Sequence, residues 1–84
     1  MSKNNSLKKI IDLFKSDKLA EALILCDQSQ DSQNDHIIKN LKGAIYFKQK
    51  QFDLAKKNFA KSIEINKNFI DPYNNLYSLF ASTK

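Results

Sequence analysis

Apolar residues recur along this chain at intervals of three and four, the spacing that aligns side chains on one face of an α-helix. Leu7, Ile10, Ile11 and Phe14 form the first such face. Ser16-Asp17 interrupts it, and Leu19, Ala22, Leu23 and Cys26 form the second. Residues 28–35, QSQDSQND, carry no apolar side chain, so they predict a helix end and a loop, with Asp35 as the N-cap of the next helix. Ile37, Leu41, Ala44 and Ile45 predict that third helix, ending near residues 49–51. Phe52, Ala55, Phe59, Ser62 and Ile63 predict a fourth, ending near residues 66–68. Pro72, directly after Asp71, suits a first helical turn, and Tyr73, Leu76, Tyr77 and Phe80 predict a fifth helix behind it. One Gly and one Pro leave little turn chemistry for a set of short strands. Five helices with short connections predict hairpins.

The hairpins repeat. FKSDKLAEAL (Phe14 to Leu23) aligns with FKQKQFDLAK (Phe47 to Lys56) at an offset of 33. At that offset Ala22 falls on Ala55, Cys26 on Phe59 and Ser29 on Ser62. At an offset of 34 from the second unit, Asn40 falls on Asn74, Ile45 on Leu79 and Tyr46 on Phe80. A period of 33 to 34 in helix-turn-helix units is the mark of a helical solenoid.

With these residues the chain resembles the tetratricopeptide repeat (TPR) family. The segment from Leu41 to Phe69 carries the resemblance best. Gly43 matches the small residue where the helices of a hairpin approach, Tyr46 the aromatic three residues later, and Ala55 the small residue facing the glycine. Phe59 and Ser62 match the large and small residues that come after it. The first unit is a weaker copy, with Ile10, Leu13 and Cys26 in place of Gly43, Tyr46 and Phe59. Residues 69–80 resemble the opening helix of a third repeat. The resemblance implies an all-α, right-handed α-solenoid of antiparallel helix hairpins: repeat one over about 3–35, repeat two over about 36–69, and a capping helix over about 70–83. Five positions depart from the family pattern, Tyr77 among them. Lys67 stands where a Pro is usual, Lys39 and Lys42 where apolar residues are preferred, and Ile10 where a small residue is expected. Ile10 predicts a splayed or shifted first hairpin. Tyr77 takes the small position of the third unit, which predicts that no second helix packs there. Tyr77, Leu79 and Phe80 are apolar for a cap, so they are candidate self-association residues; a longer chain covering them is the alternative.

Composition narrows the chemistry. The chain has 84 residues and a formal charge of +5, and all 14 of its basic residues are Lys. One Cys and one His cannot build a tetrahedral zinc site, and one Cys cannot form an internal disulfide. No apolar stretch approaches a membrane span, and MSKNNSLKK has no apolar core of a secretory signal, so a cytoplasmic domain is expected. His36 beside the Asp35 cap and Cys26 on an apolar face read as structural residues. Glu21 and Glu64 lie on different units, and Gly43 stands alone. The expectation is no catalytic residue, no cofactor and no metal. The lysines are spread, several with an acid one turn away, as in Asp35 with Lys39 and Asp53 with Lys57. Without Arg, specific nucleic-acid readout is not expected, although a basic domain with weak nucleic-acid or anionic-surface binding is an alternative.

The remaining function class is protein binding. The first helices of stacked hairpins line a concave wall. The resemblance puts Leu7, Ile11 and Phe14 of helix one on it, then Ile37, Asn40, Ala44, Phe47 and Lys48 of helix three. Asp71, Asn74, Ser78 and Ala81 of helix five complete it. Phe14 and Phe47 would grip a partner's apolar side chains while Asn40 and Asn74 bond its backbone; the alternative is that both phenylalanines plug the core. Some family members clamp a C-terminal carboxylate with Lys, Arg and Asn here. This chain has Leu7, Ile11, Asn40, Asp71 and Asn75 at those places, so that use is not expected.

Overall fold

Among the described residues the three-and-four spacing is realised as five α-helices: α1 (Asn4–Lys15), α2 (Leu19–Gln28), α3 (Asp35–Lys48), α4 (Phe52–Ile65) and α5 (Asp71–Ser82). The computed structural model describes residues 4–29 and 34–83, with the backbone alone for residues 4 and 5. Lys3, the expected start of repeat one, lies outside the described residues, as do Lys84 and residues 30–33 of the expected loop. No strand occurs among the described residues, so the chain is all-α there. Among the described residues no helix is long and apolar enough to cross a membrane.

Two turns are built alike. After α1 the Lys18 amide donates to the Leu13 carbonyl (2.8 Å) and the Asp17 amide to Phe14 (3.1 Å). After α3 the Gln51 amide donates to Tyr46 (2.9 Å) and the Lys50 amide to Phe47 (2.9 Å). Each pair closes a helix end in the Schellman manner, which needs one residue with positive φ. That residue is Asp17 (φ 64°) in one turn and Lys50 (φ 63°) in the other. Neither is glycine, so each turn carries a left-handed side-chain penalty. These bonds coincide residue for residue at the offset of 33.

Two clusters make the core. Ile10, Ala22, Cys26, Ile38 and Ile45 are buried in the first, with Leu7, Leu13 and Phe14 packed against them. Ala55, Phe59 and Leu79 are buried in the second, with Ala44, Phe47, Phe52 and Leu76 around them. Helix α3 joins them, because it alone contacts all four other helices. This explains its burial pattern. Ile38, Asn40, Gly43 and Ile45 are the buried residues of α3, whereas the expected face residues Ile37, Leu41 and Ala44 are only half-buried. A helix flanked on several sides buries more than one stripe. Helix α5 contacts α3 and α4 and makes no contact of this kind with α1 or α2.

The α3–α4 pair is the most extensively packed among the described helices. The reason lies at Gly43, where a Cβ would meet the Phe59 ring at 2.5 Å. The nearest neighbours at that point are therefore ring atoms of Phe59 rather than the expected Ala55 methyl. Ala55 is fully buried one turn earlier on α4. The other adjustment is at the start of α3. Asn34 occupies the N-cap, and Asp35, the expected cap, is the first helical residue. Its carboxylate lies 3.7 Å from the Lys39 ammonium one turn on.

Candidate functional site

The expected wall runs along α1, α3 and α5, and its residues divide into three groups. The first is committed to packing. Leu7 and Phe14 pack on the first cluster, Ala44 and Phe47 on the second. Phe47 also meets the Phe52 ring edge-on, with centroids 5.9 Å apart. Both phenylalanines, half-buried, pack on the core from equivalent places.

The second group is tied to other polar groups. Asn40 is 7% exposed, and its Oδ1 accepts a bond from Asn75 Nδ2 at 2.9 Å. This bond joins α3 to α5 and takes up the carbonyl expected to meet a guest peptide. Lys48 is likewise engaged. Its ammonium lies 3.3 Å from Asp17 Oδ1 and 4.9 Å from the centre of the Phe14 ring. A cation held over an aromatic face beside a carboxylate pins the end of α3 to the α1–α2 turn.

The third group remains accessible. Asn74 and Ser78 are exposed on α5, together with Asp71 and Ala81. Ile11 and Ile37 are half-buried. Two surface depressions lie away from this wall. One, of about 310 Å³, is lined by Lys9, Leu13, Glu21, Ile24, Leu25 and Gln28 between α1 and α2. The other, of about 440 Å³, is lined by residues 50–54 at the α3–α4 turn.

Of the candidate self-association residues, Tyr77 is 78% and Phe80 53% exposed, but Leu79 is 3% exposed and turned onto α4. Leu79 lies one helical step from Phe80, about 100° around the axis, which takes it off the outer face. It is therefore a core residue.

Residues outside the wall carry several polar links. Ser62 Oγ donates to the His36 carbonyl at 2.6 Å, bridging α4 to the first turn of α3. The His36 ring meets Phe69 edge-on at 4.9 Å. Lys42, at a position where the family prefers an apolar residue, is half-buried and bonds Asp27 Oδ1 at 2.7 Å, linking α2 to α3. Burial works against the Lys42 ammonium, but the Asp27 hydrogen bond and charge outweigh it, so its pKa is raised. Burial pushes the Cys26 thiol up to about 11, with Lys42 partly opposing, so the sulfur stays protonated and unreactive at neutral pH. The i,i+3 pair Lys61–Glu64 forms at 3.7 Å, whereas Asp53 and Lys57 form no ion pair among the described residues. The Asn40–Asn75, Ser62–His36 and Lys42–Asp27 links are not foreseen by the sequence pattern. The available signal is a polar residue within each apolar face.

Among the described residues no group of three or more His, Cys, Asp or Glu gathers as metal ligands. No protein-family model matches the chain, and neither a curated protein nor a solved structure matches it.

Proposed function

We propose that the chain is a right-handed, TPR-like α-solenoid of about two and a half repeats, with α5 as the capping helix. We further propose that it is a non-catalytic interaction module holding a peptide or helix of a partner protein along α1, α3 and α5. The observation that carries this reading is the order of helix contacts. Each first helix touches the next, α1 with α3 and α3 with α5, while α5 touches neither α1 nor α2. A chain closed around a single axis would bring its last helix back onto its first. The matched turns after α1 and α3 support the same reading.

A solenoid of this kind offers a guest the accessible wall residues Ile11, Ile37, Asn74 and Ser78. The Asn74 amide and the Ser78 hydroxyl bond backbone, and the isoleucines receive apolar side chains. Phe47 packs on the core, so a charge there would unfold the second cluster as well as block a guest. The cleaner test uses exposed positions. Peptides selected from a random display library against the wild-type protein should lose binding to Asn74→Arg and to Ser78→Arg, with thermal unfolding unchanged. Selected peptides that bind both variants as well as wild type would remove the groove from α5, and a library that yields no binder would remove the peptide reading.

A further inference from the structure

Helix α5 meets α3 through a polar pair at the places where α1 and α3 carry apolar residues. The offsets of 33 and 34 that superpose the units carry Leu7 onto Asn40 and Leu41 onto Asn75. At the α1–α3 junction these places hold leucines, and both pack on the first cluster. At the α3–α5 junction they hold two amides, and Asn75 Nδ2 donates to Asn40 Oδ1 at 2.9 Å. Parting two leucines exposes apolar surface to water, which opposes the separation. Parting two amides returns each to water that hydrogen-bonds it in turn, so the bond offers little net resistance.

The other polar ties of α5 are equally replaceable by water. The Tyr73 hydroxyl donates to the Lys67 carbonyl at 3.1 Å, and the Lys56 ammonium lies 5.9 Å from the centre of the Phe80 ring, both at the surface. Among the described residues no ion pair reaches α5. Its apolar attachment rests on Pro72 and Leu79, which are buried, and on half-buried Leu76.

The chain also has a place to turn. Phe69 is held to the second hairpin by its edge-on contact with the His36 ring at 4.9 Å. Ile70 belongs to α5, because its carbonyl accepts bonds from the Tyr73 amide (3.0 Å) and the Asn74 amide (3.4 Å). The pivot is therefore the Phe69–Ile70 link. The Gly43–Phe59 crossing and the Ser62–His36 bond are both made between α3 and α4, so this hairpin keeps its own contacts when α5 leaves.

We propose that α5 is a releasable cap: it undocks from α3 and α4 as one unit about the Phe69–Ile70 link, with the Asn40–Asn75 bond as its latch, while the two hairpins stay folded. Helix α5 carries Asn74 and Ser78, so its release takes those residues away from the proposed groove. That consequence rests on the groove reading; the release itself does not.

The test is native-state amide hydrogen exchange of the full chain, followed residue by residue by NMR at neutral pH without any guest. In the wild type the amides of Leu76 to Leu79 should share one protection factor, at least about tenfold below that of Phe59 to Ile63 on α4. Asn40→Leu with Asn75→Leu installs the first junction's pair and should raise the α5 value about tenfold. Asn75→Ala removes the bond and should lower it about fivefold. Equal protection of α5 and α4 in the wild type would mean that α5 leaves only when the whole chain unfolds, and overturns the proposal. A folded double leucine variant whose α5 protection is unchanged or lowered overturns the latch. So does an Asn75→Ala variant with unchanged α5 protection, a result that does not depend on the leucine pair fitting.

Discussion

The two hairpins of this protein have the same plan and opposite contents. In the second, the small residue is on the first helix and the large one on the second: Gly43 lies against the ring of Phe59. In the first, the sizes are exchanged, with Ile10 at the place of Gly43 and Cys26 at the place of Phe59, and all four are buried. The consequence is a difference in helix approach. Helix α3 has no side chain at the crossing, so α4 comes close and drives a ring against its backbone. Helix α1 carries a branched side chain at the equivalent place, and the α1–α2 pair is less extensively packed than α3–α4. Close packing can be reached with either assignment of large and small, but only a glycine lets the helix axis itself be the receiving surface.

Substitutions at the crossing points should separate the two hairpins. Phe59→Ala should cost about 3–5 kcal/mol, enough to unfold much of a chain this small, while Cys26→Ala should cost about 1 kcal/mol. Chemical denaturation of both variants measures the difference. A Cys26→Ala loss equal to that of Phe59→Ala would mean that the hairpins contribute alike.

Gly43→Ala should destabilise by about 1–3 kcal/mol, even though alanine is the better helix former, because the buried ring has no room to withdraw. Ile10→Val, removing one methyl from the equivalent place, should cost about 1 kcal/mol. Installing the first hairpin's pair in the second, as Gly43→Ile with Phe59→Cys, should be more stable than Gly43→Ile alone. A double variant less stable than that single would show that the two positions do not share one space.

The turns sharpen the comparison on a smaller scale. Lys50→Gly should stabilise the protein by about 0.5–1 kcal/mol by relieving a left-handed side chain. Asp17→Gly relieves the same backbone but removes the carboxylate beside Lys48, so its gain should be the smaller. Equal gains in thermal melts would mean that the Asp17–Lys48 pair contributes nothing.

An effect of pH belongs to the first hairpin. Cys26 has its pKa raised by burial from 9.0 to about 11. A folded pKa above the unfolded one favours the native state below pH 9. That contribution falls as pH rises from 9 toward 11, because the unfolded thiol ionises first. The stability difference between wild type and Cys26→Ala should therefore shrink across this window. A difference that grows with pH would place the thiol in a polar site.

Much of this architecture is legible in the residues. The apolar spacing locates all five helices, and the FKSDKL–FKQKQF match anticipates two turns with the same hydrogen bonds. The departure at Ile10 agrees with a first hairpin less closely packed than the second. What spacing does not reveal is which neighbour fills a gap. Ala55 and Phe59 lie on one face of α4, one turn apart, and only the helix crossing decides that the ring meets Gly43. Nor does periodicity foresee that α3 is flanked by four helices, which draws Asn40 inside to meet Asn75. The same limit applies to the wall. Phe14, Phe47 and Lys48 are expected on it by position, but their packing and pairing depend on neighbours far along the chain. Leu79 and Phe80 are adjacent in sequence, and helical rotation sends one inward and the other to water.

The most direct measurement exploits the chain's single glycine. In a nuclear Overhauser spectrum of the wild-type protein, the α protons of Gly43 should show strong cross-peaks to the Phe59 ring protons, with a chemical shift displaced by the ring current. An ordinary glycine shift with no cross-peak to that ring would contradict the crossing on which the second hairpin is built.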